Sequence, residues 1–259
     1  MSWIDSHAHL NDPAFENDLE QVINNALEAG IKAILVPGFD LGSSIKAVEL
    51  AAQHQMLWAA VGVHPHDAKT WDQVTVNHLE QLLVEPKVVA VGEIGLDYHY
   101  NYSSKEDQLK AFIEQINIAK QYNKPIVIHN REANHDTFET LAGEKVSKSG
   151  GVMHCFSGSR EMALEFLQLG LHISFAGPLT FTNALKLREA AKVIPMEKLL
   201  VETDSPYLAP HPLRGKRNEP ANVKLVGEKL ADILEQPSET IMRHTSANAE
   251  VLFGMSLKD

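Results

Sequence analysis

Cysteine, basic charge and long apolar runs are all scarce in this 259-residue sequence. The single cysteine, Cys155, excludes an internal disulfide and is typical of a reducing cytoplasm. The longest run without a polar residue covers residues 56–63, far short of the roughly 20 residues that span a bilayer. The first basic residue is Lys32, so the positively charged segment with which a signal peptide begins is not found here, and we expect no signal peptide. We therefore expect a cytoplasmic protein without a membrane anchor.

Positive charge is limited, because 23 Lys and Arg residues face 34 Asp and Glu residues, which gives a net charge of −11 with neutral histidines. Such a chain does not bind long DNA or an anionic membrane by broad electrostatic attraction, although a local phosphate site is compatible with it. The hydrophobic fraction of 44% is globular, which excludes disorder, collagen-like repeats and coiled coil as descriptions of the whole chain.

Short apolar runs alternate with amphipathic segments along the chain, and neither a linker nor a solenoid repeat divides it. Eight of these runs have the near-continuous apolar character of strands that are buried on both faces. They cover residues 3–5, 33–36, 57–63, 88–91, 126–128, 152–153, 171–175 and 199–201.

Helical periodicity fills the intervals between these runs. The first helix is expected over residues 15–27, with Phe15 on its apolar face and Gly30 as its stop. In the clearest helix, Ser103 and Glu106 form a capping-box pattern before an apolar face that includes Phe112. The other helical segments cover residues 43–54, 77–84, 160–169, 183–193, 222–234 and 238–253.

Alternating strands and helices indicate parallel strands joined by right-handed crossovers. Eight such units in about 250 residues are typical of one closed barrel. We therefore predict an α/β protein, a single-domain (β/α)8 TIM barrel over residues 1–259. A doubly wound open sheet is the alternative, and the strand count and the absence of a glycine-rich first turn disfavour it.

Polar side chains follow the predicted strands where they end. His7 and His9 follow strand one and share a face, because residues i and i+2 of an extended chain point the same way. Strands four, five, six and eight run into Glu93, His129, His154 and Asp204. The carboxyl ends of barrel strands form one rim, so these groups are expected to converge. Buried charges without partners are costly, which favours a metal site over a structural role.

Six ligands are too many for one tetrahedral ion and suit two ions about 3.5–4 Å apart that share a carboxylate. We predict two divalent metal ions, held by His7, His9 and Asp204 on one side, by His129 and His154 on the other, and by Glu93 as the bridge. The imidazole-rich set favours Zn²⁺ or Mn²⁺, while the carboxylates and open coordination positions keep Mg²⁺ as an alternative.

Several motifs carry a family resemblance, and they occur in order along nearly the whole chain. They cover residues 6–9 (Ser-His-Ala-His), 62–66 (Gly-Val-His-Pro-His), 92–97 (Gly-Glu-Ile-Gly-Leu-Asp), 128–131 (Ile-His-Asn-Arg), 154–158 (His-Cys-Phe-Ser-Gly), 202–206 (Glu-Thr-Asp-Ser-Pro) and 217–220 (Arg-Asn-Glu-Pro). As a set they resemble the TatD family of metal-dependent hydrolases and deoxyribonucleases. The resemblance implies a TIM-barrel hydrolase with a binuclear centre, the same six metal ligands and, as in several members, DNA phosphodiesterase activity.

Further side chains are expected around this centre. His64 closes strand three beside His66 and is the favoured of the two for orienting a phosphate. Glu202 lies two residues before Asp204, deeper on the same face, where it can hydrogen-bond a ligand histidine. Asp97 and Arg131 are comparable candidates at the ends of strands four and five.

Residues 205–219 form a long connection that begins beside Asp204 and has neither strand nor helix periodicity. Long loops at the active face of a barrel are usually functional. Since this one carries Arg214, Lys216 and Arg217, we predict that Arg214 and Arg217 contact a substrate phosphate.

Charge connects this centre to a substrate. Two divalent ions and two carboxylates leave a local charge of +2, which attracts an anionic ester despite the net charge of the chain. We assign catalytic roles to Asp204, as the base toward a metal-bridging water whose pKa falls toward about 7, and to Glu93, as the bridge.

Three functions compete on this basis. The leading one is hydrolysis of DNA phosphodiester bonds by an exonuclease acting at strand ends, because a duplex cannot enter a recessed barrel mouth undistorted. The second is a small-molecule amide, ester or lactone hydrolase of the amidohydrolase type. Many such enzymes bridge their metals with a carboxylated lysine, and this chain has Glu93 instead, which disfavours this function. The third is a non-catalytic metal protein, which the open ligand set disfavours. The expected partners are DNA ends or short oligonucleotides, with no membrane and no obligate protein partner.

Overall fold

The structure is a computed structural model that describes residues 2–256. Within this range, eight parallel strands form one sheet in sequential order. They are β1 (Trp3–Asp5), β2 (Ile31–Pro37), β3 (Leu57–Val61), β4 (Val88–Asp97), β5 (Ile126–Arg131), β6 (Gly151–Met153), β7 (His172–Phe175) and β8 (Leu199–Val201). Each of the eight predicted strands is present, and the fold is the predicted (β/α)8 TIM barrel.

The barrel closes between its first and last strands. The Ser6 N–H donates to the Val201 carbonyl at 3.2 Å, and a parallel bridge joins Ala8 to Ser205 just beyond β8. The open-sheet alternative is therefore wrong, because both edges of an open sheet lack such partners.

Helices cover the outside of the barrel. Over residues 2–256 they are α1 (Leu19–Glu28), α2 (Leu41–Gln53), α3 (Gln73–Leu82), α4 (Lys105–Gln121), α5 (Asn134–Gly143), α6 (Arg160–Gln168), α7 (Leu185–Ala191), α8 (Val223–Leu234) and α9 (Ser238–Phe253). Their apolar faces pack against the outward side chains of the strands in one large buried cluster. No helix in this part of the chain is long and apolar enough to cross a bilayer.

Several predicted helices begin at a different residue in the structure, such as α3, which begins at Gln73 rather than at residue 77. Two of these differences have a clear local cause. Phe15 lies in a 3-10 turn, Pro13–Phe15, which is capped by the Asp12 side chain, and α1 begins only at Leu19. The cap of α4 is Ser104, whose hydroxyl accepts the Asp107 N–H at 3.1 Å. Ser103 is instead buried, and its hydroxyl donates to the His66 carbonyl at 2.8 Å. Because Ser103 and Ser104 are adjacent, the sequence did not show which of the two caps the helix.

The helix α5 has no counterpart in the sequence-based expectation. Its amino-terminal cap, Ala133, offers no side-chain acceptor, and its buried side chains are only those of Thr137 and Leu141. With so narrow an apolar stripe, periodicity gives little signal, and the helix depends on its packing against the barrel.

Strands β4 and β5 continue beyond their predicted ends. As a result Glu93 and His129 lie within strands rather than in the loops after them. The pairing register between β4 and β5 shifts between Val91 and Ile94, the segment that contains Glu93. At Gly95 (φ +144°) a Cβ atom would lie 2.0 Å from the His129 carbonyl oxygen, so only glycine fits between these strands.

Candidate metal centre

The six predicted metal ligands converge at the carboxyl end of the barrel. They come from the segments that follow β1 and β8, from within β4 and β5, and from the residue after β6. Five of the six are buried and His129 is half-buried. The structure therefore brings together side chains that are up to 197 positions apart in the sequence.

One group consists of His7, His9 and Asp204, the set that we predicted for one ion. The Nε2 atoms of His7 and His9 are 3.1 Å apart. The Asp204 Oδ1 lies 3.7 Å from the first and 3.4 Å from the second. These three side chains offer their ligand atoms to a common point and could hold a metal ion.

Glu93 lies between two sets of imidazoles. Its Oε2 is 3.3 Å from His7 Nε2 and 3.6 Å from His9 Nε2. Its Oε1 is within 3.4 Å of three other ring nitrogens, those of His64, His129 and His154. The two carboxylate oxygens thus face opposite sides of the site, which is the arrangement that a bridging carboxylate requires.

Two further groups of ligand atoms differ from the predicted division. His64, expected to orient a phosphate, lies with Glu93 and His129 in a group that could hold an ion. His154 belongs to a second such group with His7 and Glu202, and its ring stacks on His7 at a centroid distance of 4.0 Å. The His154 Nε2 is nevertheless only 3.4 Å from His129 Nδ1. Side-chain rotamers, which a strand pattern does not specify, decide these groupings.

Asp97 holds the ring of His129 in place. Its Oδ2 lies 3.1 Å from His129 Nε2, and the other ring nitrogen, Nδ1, faces Glu93 at 2.9 Å. The same Oδ2 is 3.0 Å from the Nε2 of His66, the neighbour of His64 for which no role was predicted. The Gly-Val-His-Pro-His spacing was the available signal, since both histidines follow the same strand.

Glu202 plays a comparable part for His154. It is fully buried, and its Oε1 accepts the Cys155 N–H at 2.8 Å and lies 3.2 Å from His154 Nδ1. The opposite ring nitrogen of His154 faces Glu93. Carboxylates behind ligand histidines fix ring orientation and raise the basicity of the nitrogen that faces a metal.

Asp5 connects the segments that follow β1 and β8, a role that was not predicted for it. Its Oδ1 accepts the N–H groups of His7 (3.2 Å) and Thr203 (2.9 Å), and its other oxygen accepts the Thr203 hydroxyl. Burial raises the pKa of Asp5 well above its ordinary value, although the bonds from Thr203 oppose this. Asp204 adopts a left-handed conformation (φ +57°), and its N–H donates to the His7 carbonyl at 2.9 Å.

The electrostatics of the site favour negative carboxylates among imidazoles. Burial by itself would raise the pKa of Glu93, but His154 and His64 hold it well below its ordinary value. Burial likewise opposes ionisation of Asp204, whose pKa is nevertheless lowered by its hydrogen bond with His9. Burial and the neighbouring His129 lower the pKa of His64 to about 4. Burial opposes protonation of His154, but Glu93 and Glu202 raise its pKa well above its ordinary value. Anionic carboxylates suit a divalent cation, whereas metal binding at His154 competes with a proton.

The donor set itself fits a cation. The His7 and His9 Nε2 atoms are at hydrogen-bond distance from each other while both also approach Glu93 and Asp204. A neutral imidazole has one N–H, so these rings cannot donate to all of these partners at once. A positive ion among the nitrogen and oxygen atoms satisfies their lone pairs together.

The three predicted arginines have different surroundings. Arg131 is exposed at the end of β5, with its guanidinium 4.7 Å from the centre of the Tyr100 ring. Arg214 lies over the Phe181 ring at 4.1 Å. Arg217 forms a two-pronged pair with Asp18 (2.8 and 2.6 Å) and also contacts Glu219 at 3.1 Å. Its guanidinium is already paired with protein carboxylates, which argues against the predicted phosphate contact of Arg217.

The barrel and its imidazole–carboxylate centre define a metal-dependent hydrolase of the TIM-barrel class. Residues 4–254 match the family described as TatD related DNase, and the chain belongs to this family. This confirms the resemblance that the sequence motifs carry.

Relatives and solved structures agree with this assignment. The chain is 45% identical over 249 residues to YabD of Bacillus subtilis, described as an uncharacterized metal-dependent hydrolase, covering 96% of this chain and 98% of that protein. It is 37% identical over 258 residues to TatD of Escherichia coli K12, described as a 3'-5' ssDNA/RNA exonuclease, covering 97% and 99%. The crystal structure of the TatD homologue YjjV from E. coli K12 superposes with a TM-score of 0.93 at 33% identity, covering 98% of each chain.

Proposed function

We propose that this protein trims the ends of single-stranded DNA by hydrolysing phosphodiester bonds at a centre of two divalent ions. The observation that carries the proposal is Glu93, whose two oxygens face separate sets of imidazole nitrogens. A relative described as an ssDNA/RNA exonuclease supports the choice of a nucleic-acid substrate.

In this proposal His7, His9 and Asp204 hold one ion, His129 and His154 hold the other, and Glu93 bridges them. When bound, two divalent ions of Zn²⁺, Mn²⁺ or Mg²⁺ supply an activated water and Lewis-acid stabilisation of the phosphoryl oxygens. Asp204, whose pKa is lowered by its hydrogen bond with His9 against the effect of burial, would serve as the general base for an attacking water. With Glu93 and Asp204 both ionised, the loaded centre keeps a positive charge that attracts a phosphodiester.

The depth of the site selects strand ends. None of His7, His9 and Asp204 is more than 9% exposed, so a scissile bond must enter the barrel mouth to reach them. An unpaired end can thread into this recess, whereas the middle of a duplex must first be distorted. The net charge of −11 also leaves little surface that grips a long duplex through many phosphates.

The partners in this proposal are DNA ends and short oligonucleotides, bound without an obligate protein partner. Arg131 and Arg214, which form no ion pair with any residue in the range 2–256, remain the proposed phosphate contacts at the rim. We also place the protein in the cytoplasm, because its single cysteine suits a reducing compartment.

The test compares an end-labelled single strand with supercoiled plasmid, in Mg²⁺, Mn²⁺ and Zn²⁺ separately. We expect stepwise shortening of the single strand and little nicking of the plasmid. Glu93→Gln should abolish cleavage, whereas Glu85→Gln, which changes an exposed carboxylate before β4, should retain it. Rapid plasmid relaxation with an intact single strand refutes end-directed action. Failure to cut either substrate, with hydrolysis of simple esters or lactones, supports the small-molecule alternative.

A further inference from the structure

Two tyrosines on the loop between β4 and α4 expose their rings at the active end of the barrel. Tyr100 is 46% exposed and Tyr102 is 59% exposed. Their rings are stacked nearly parallel, with an interplanar angle of 12° and a centroid distance of 5.3 Å. Large aromatic side chains usually bury their faces in a core or an interface, so an exposed stacked pair indicates a surface that receives a ligand.

The loop that carries the pair is held in a defined conformation. The Oδ1 of Asp97 accepts the N–H groups of His99 and Tyr100, each at 3.0 Å. Asn101 takes a left-handed conformation (φ +50°), and its side-chain amide donates to the Tyr98 carbonyl at 2.9 Å. A loop fixed in this way loses little conformational entropy when a ligand binds to it.

The pair is one imidazole away from the metal centre. The ring of His66 stands edge-on to Tyr100 at 5.5 Å and to Tyr102 at 4.9 Å. The same ring lies 6.3 Å from the ring of His129, which contacts Glu93. A nucleotide seated on the tyrosines is therefore a close neighbour of a phosphodiester held at Glu93.

Positive charge accompanies the aromatic surface. The Arg131 guanidinium lies 4.7 Å from the Tyr100 ring centre and forms no ion pair within residues 2–256. A guanidinium that is both exposed and unpaired matches a phosphate, which it can bind through two parallel N–H groups. Aromatic rings beside a basic side chain are the usual composition of sites for single-stranded nucleic acid.

We propose that Tyr100, Tyr102 and Arg131 form a stacking subsite for one unpaired nucleobase next to the scissile phosphodiester. The base stacks on Tyr102, the more exposed ring, and Arg131 contacts the adjoining phosphate. This inference rests on the proposed function and specifies how that site selects its substrate. A base within a duplex already has neighbours on both faces, so the subsite favours unpaired ends with little preference for sequence.

The binding test uses metal-loaded protein and short single strands that carry cleavage-resistant phosphorothioate linkages and 2-aminopurine at each of the last three positions from either end. Stacking quenches the fluorescence of this base, so the titration reports affinity and stacking together. We expect Tyr102→Ala to weaken binding about tenfold and to remove the quenching at one position. Tyr102→Phe, which keeps the ring, should stay within about twofold of wild type. Val251→Ala, an exposed change on α9, serves as the control.

Unchanged affinity and unchanged quenching in Tyr102→Ala would overturn the stacking subsite. A cleavage assay with a base-free (tetrahydrofuran) nucleotide at the quenched position gives a second readout, because Tyr102→Ala should then cost no more than Val251→Ala. An equal loss on the natural and base-free strands also overturns the inference. The binding titration tests the stacking subsite, and cleavage by the wild type tests the proposed function. Either hypothesis can therefore be refuted without the other.

Discussion

Replacing Glu93 with glutamine should remove most of the thermal stabilisation that divalent metal gives to this protein. The substitution preserves the shape of the side chain and deletes the negative charge. That charge lies within 3.6 Å of five imidazole nitrogens, those of His7, His9, His64, His129 and His154. Because Glu93 faces both sides of the site, its loss weakens each proposed ion position.

The size of the effect follows from linkage. A metal at 100 times its Kd stabilises the folded state by about 2.7 kcal/mol per site. For a chain of this length, that raises Tm by roughly 5–10 °C. Carboxylates behind ligand histidines change metal affinity about 10–100-fold, and a direct ligand contributes at least as much. With a Kd 100-fold weaker, the same metal concentration adds only about 0.4 kcal/mol, or a rise of about 1 °C.

The assay is thermal unfolding of EDTA-treated protein with Zn²⁺, Mn²⁺ or Mg²⁺ added back over a range of concentrations. Each variant serves as its own metal-free baseline, so a change in apo stability does not enter the comparison. Glu85→Gln should show the full rise of the wild type. An equal rise in wild type and Glu93→Gln, or no rise in either, would refute the assignment of Glu93 to the metal centre.

Three other perturbations test separate parts of the structure. Asp97→Asn should weaken metal binding about 10–100-fold without unfolding the barrel, because Asp97 orients His129; unchanged affinity in a chelator competition would contradict this. Burial, and then Lys198, lower the pKa of His172 to about 4, so between pH 6.5 and 4 the unfolded chain binds a proton that the folded chain does not. The free energy of unfolding therefore decreases as the pH falls through this window, by at most about 3 kcal/mol. In His172→Gln the urea unfolding midpoint should depend less on pH between these values. Arg217→Met should cost about 1 kcal/mol of stability and leave oligonucleotide cleavage unchanged; a raised KM with a flatter salt dependence would restore its predicted phosphate contact.

The barrel was predictable because each of its strands contains a short run of apolar residues that differs from the amphipathic segments on either side. Helix α5 was not, since only Thr137 and Leu141 bury their side chains in it and Ala133 provides no cap. Local patterns predict elements whose sequence preference agrees with their environment, and α5 owes its helical state to the sheet beneath it.

The candidate site was predictable only as a set of strand ends. Placement at one rim follows from barrel geometry, and it brings the six predicted ligands together. A hydrogen bond between Glu202 and a ligand histidine was predicted, but the choice of His154 and the orientation of His129 by Asp97 depend on rotamers that the sequence does not express. The pairing of Arg217 with Asp18 was not predictable for a related reason, because the two residues lie 199 positions apart and nothing local marks the pair.

Closure of the barrel between β1 and β8 has a consequence for synthesis on the ribosome. Asp5 bonds Thr203 across 198 residues, and the Asp204 N–H bonds the carbonyl of His7. Contacts of such high sequence separation form late, after the entropy of closing the whole loop has been lost. A nascent chain that ends before β8 carries His7 and His9 without Asp204 and without the strand that fixes them. The complete centre is therefore assembled only after residue 204 has emerged, and full metal affinity reports that the barrel has closed.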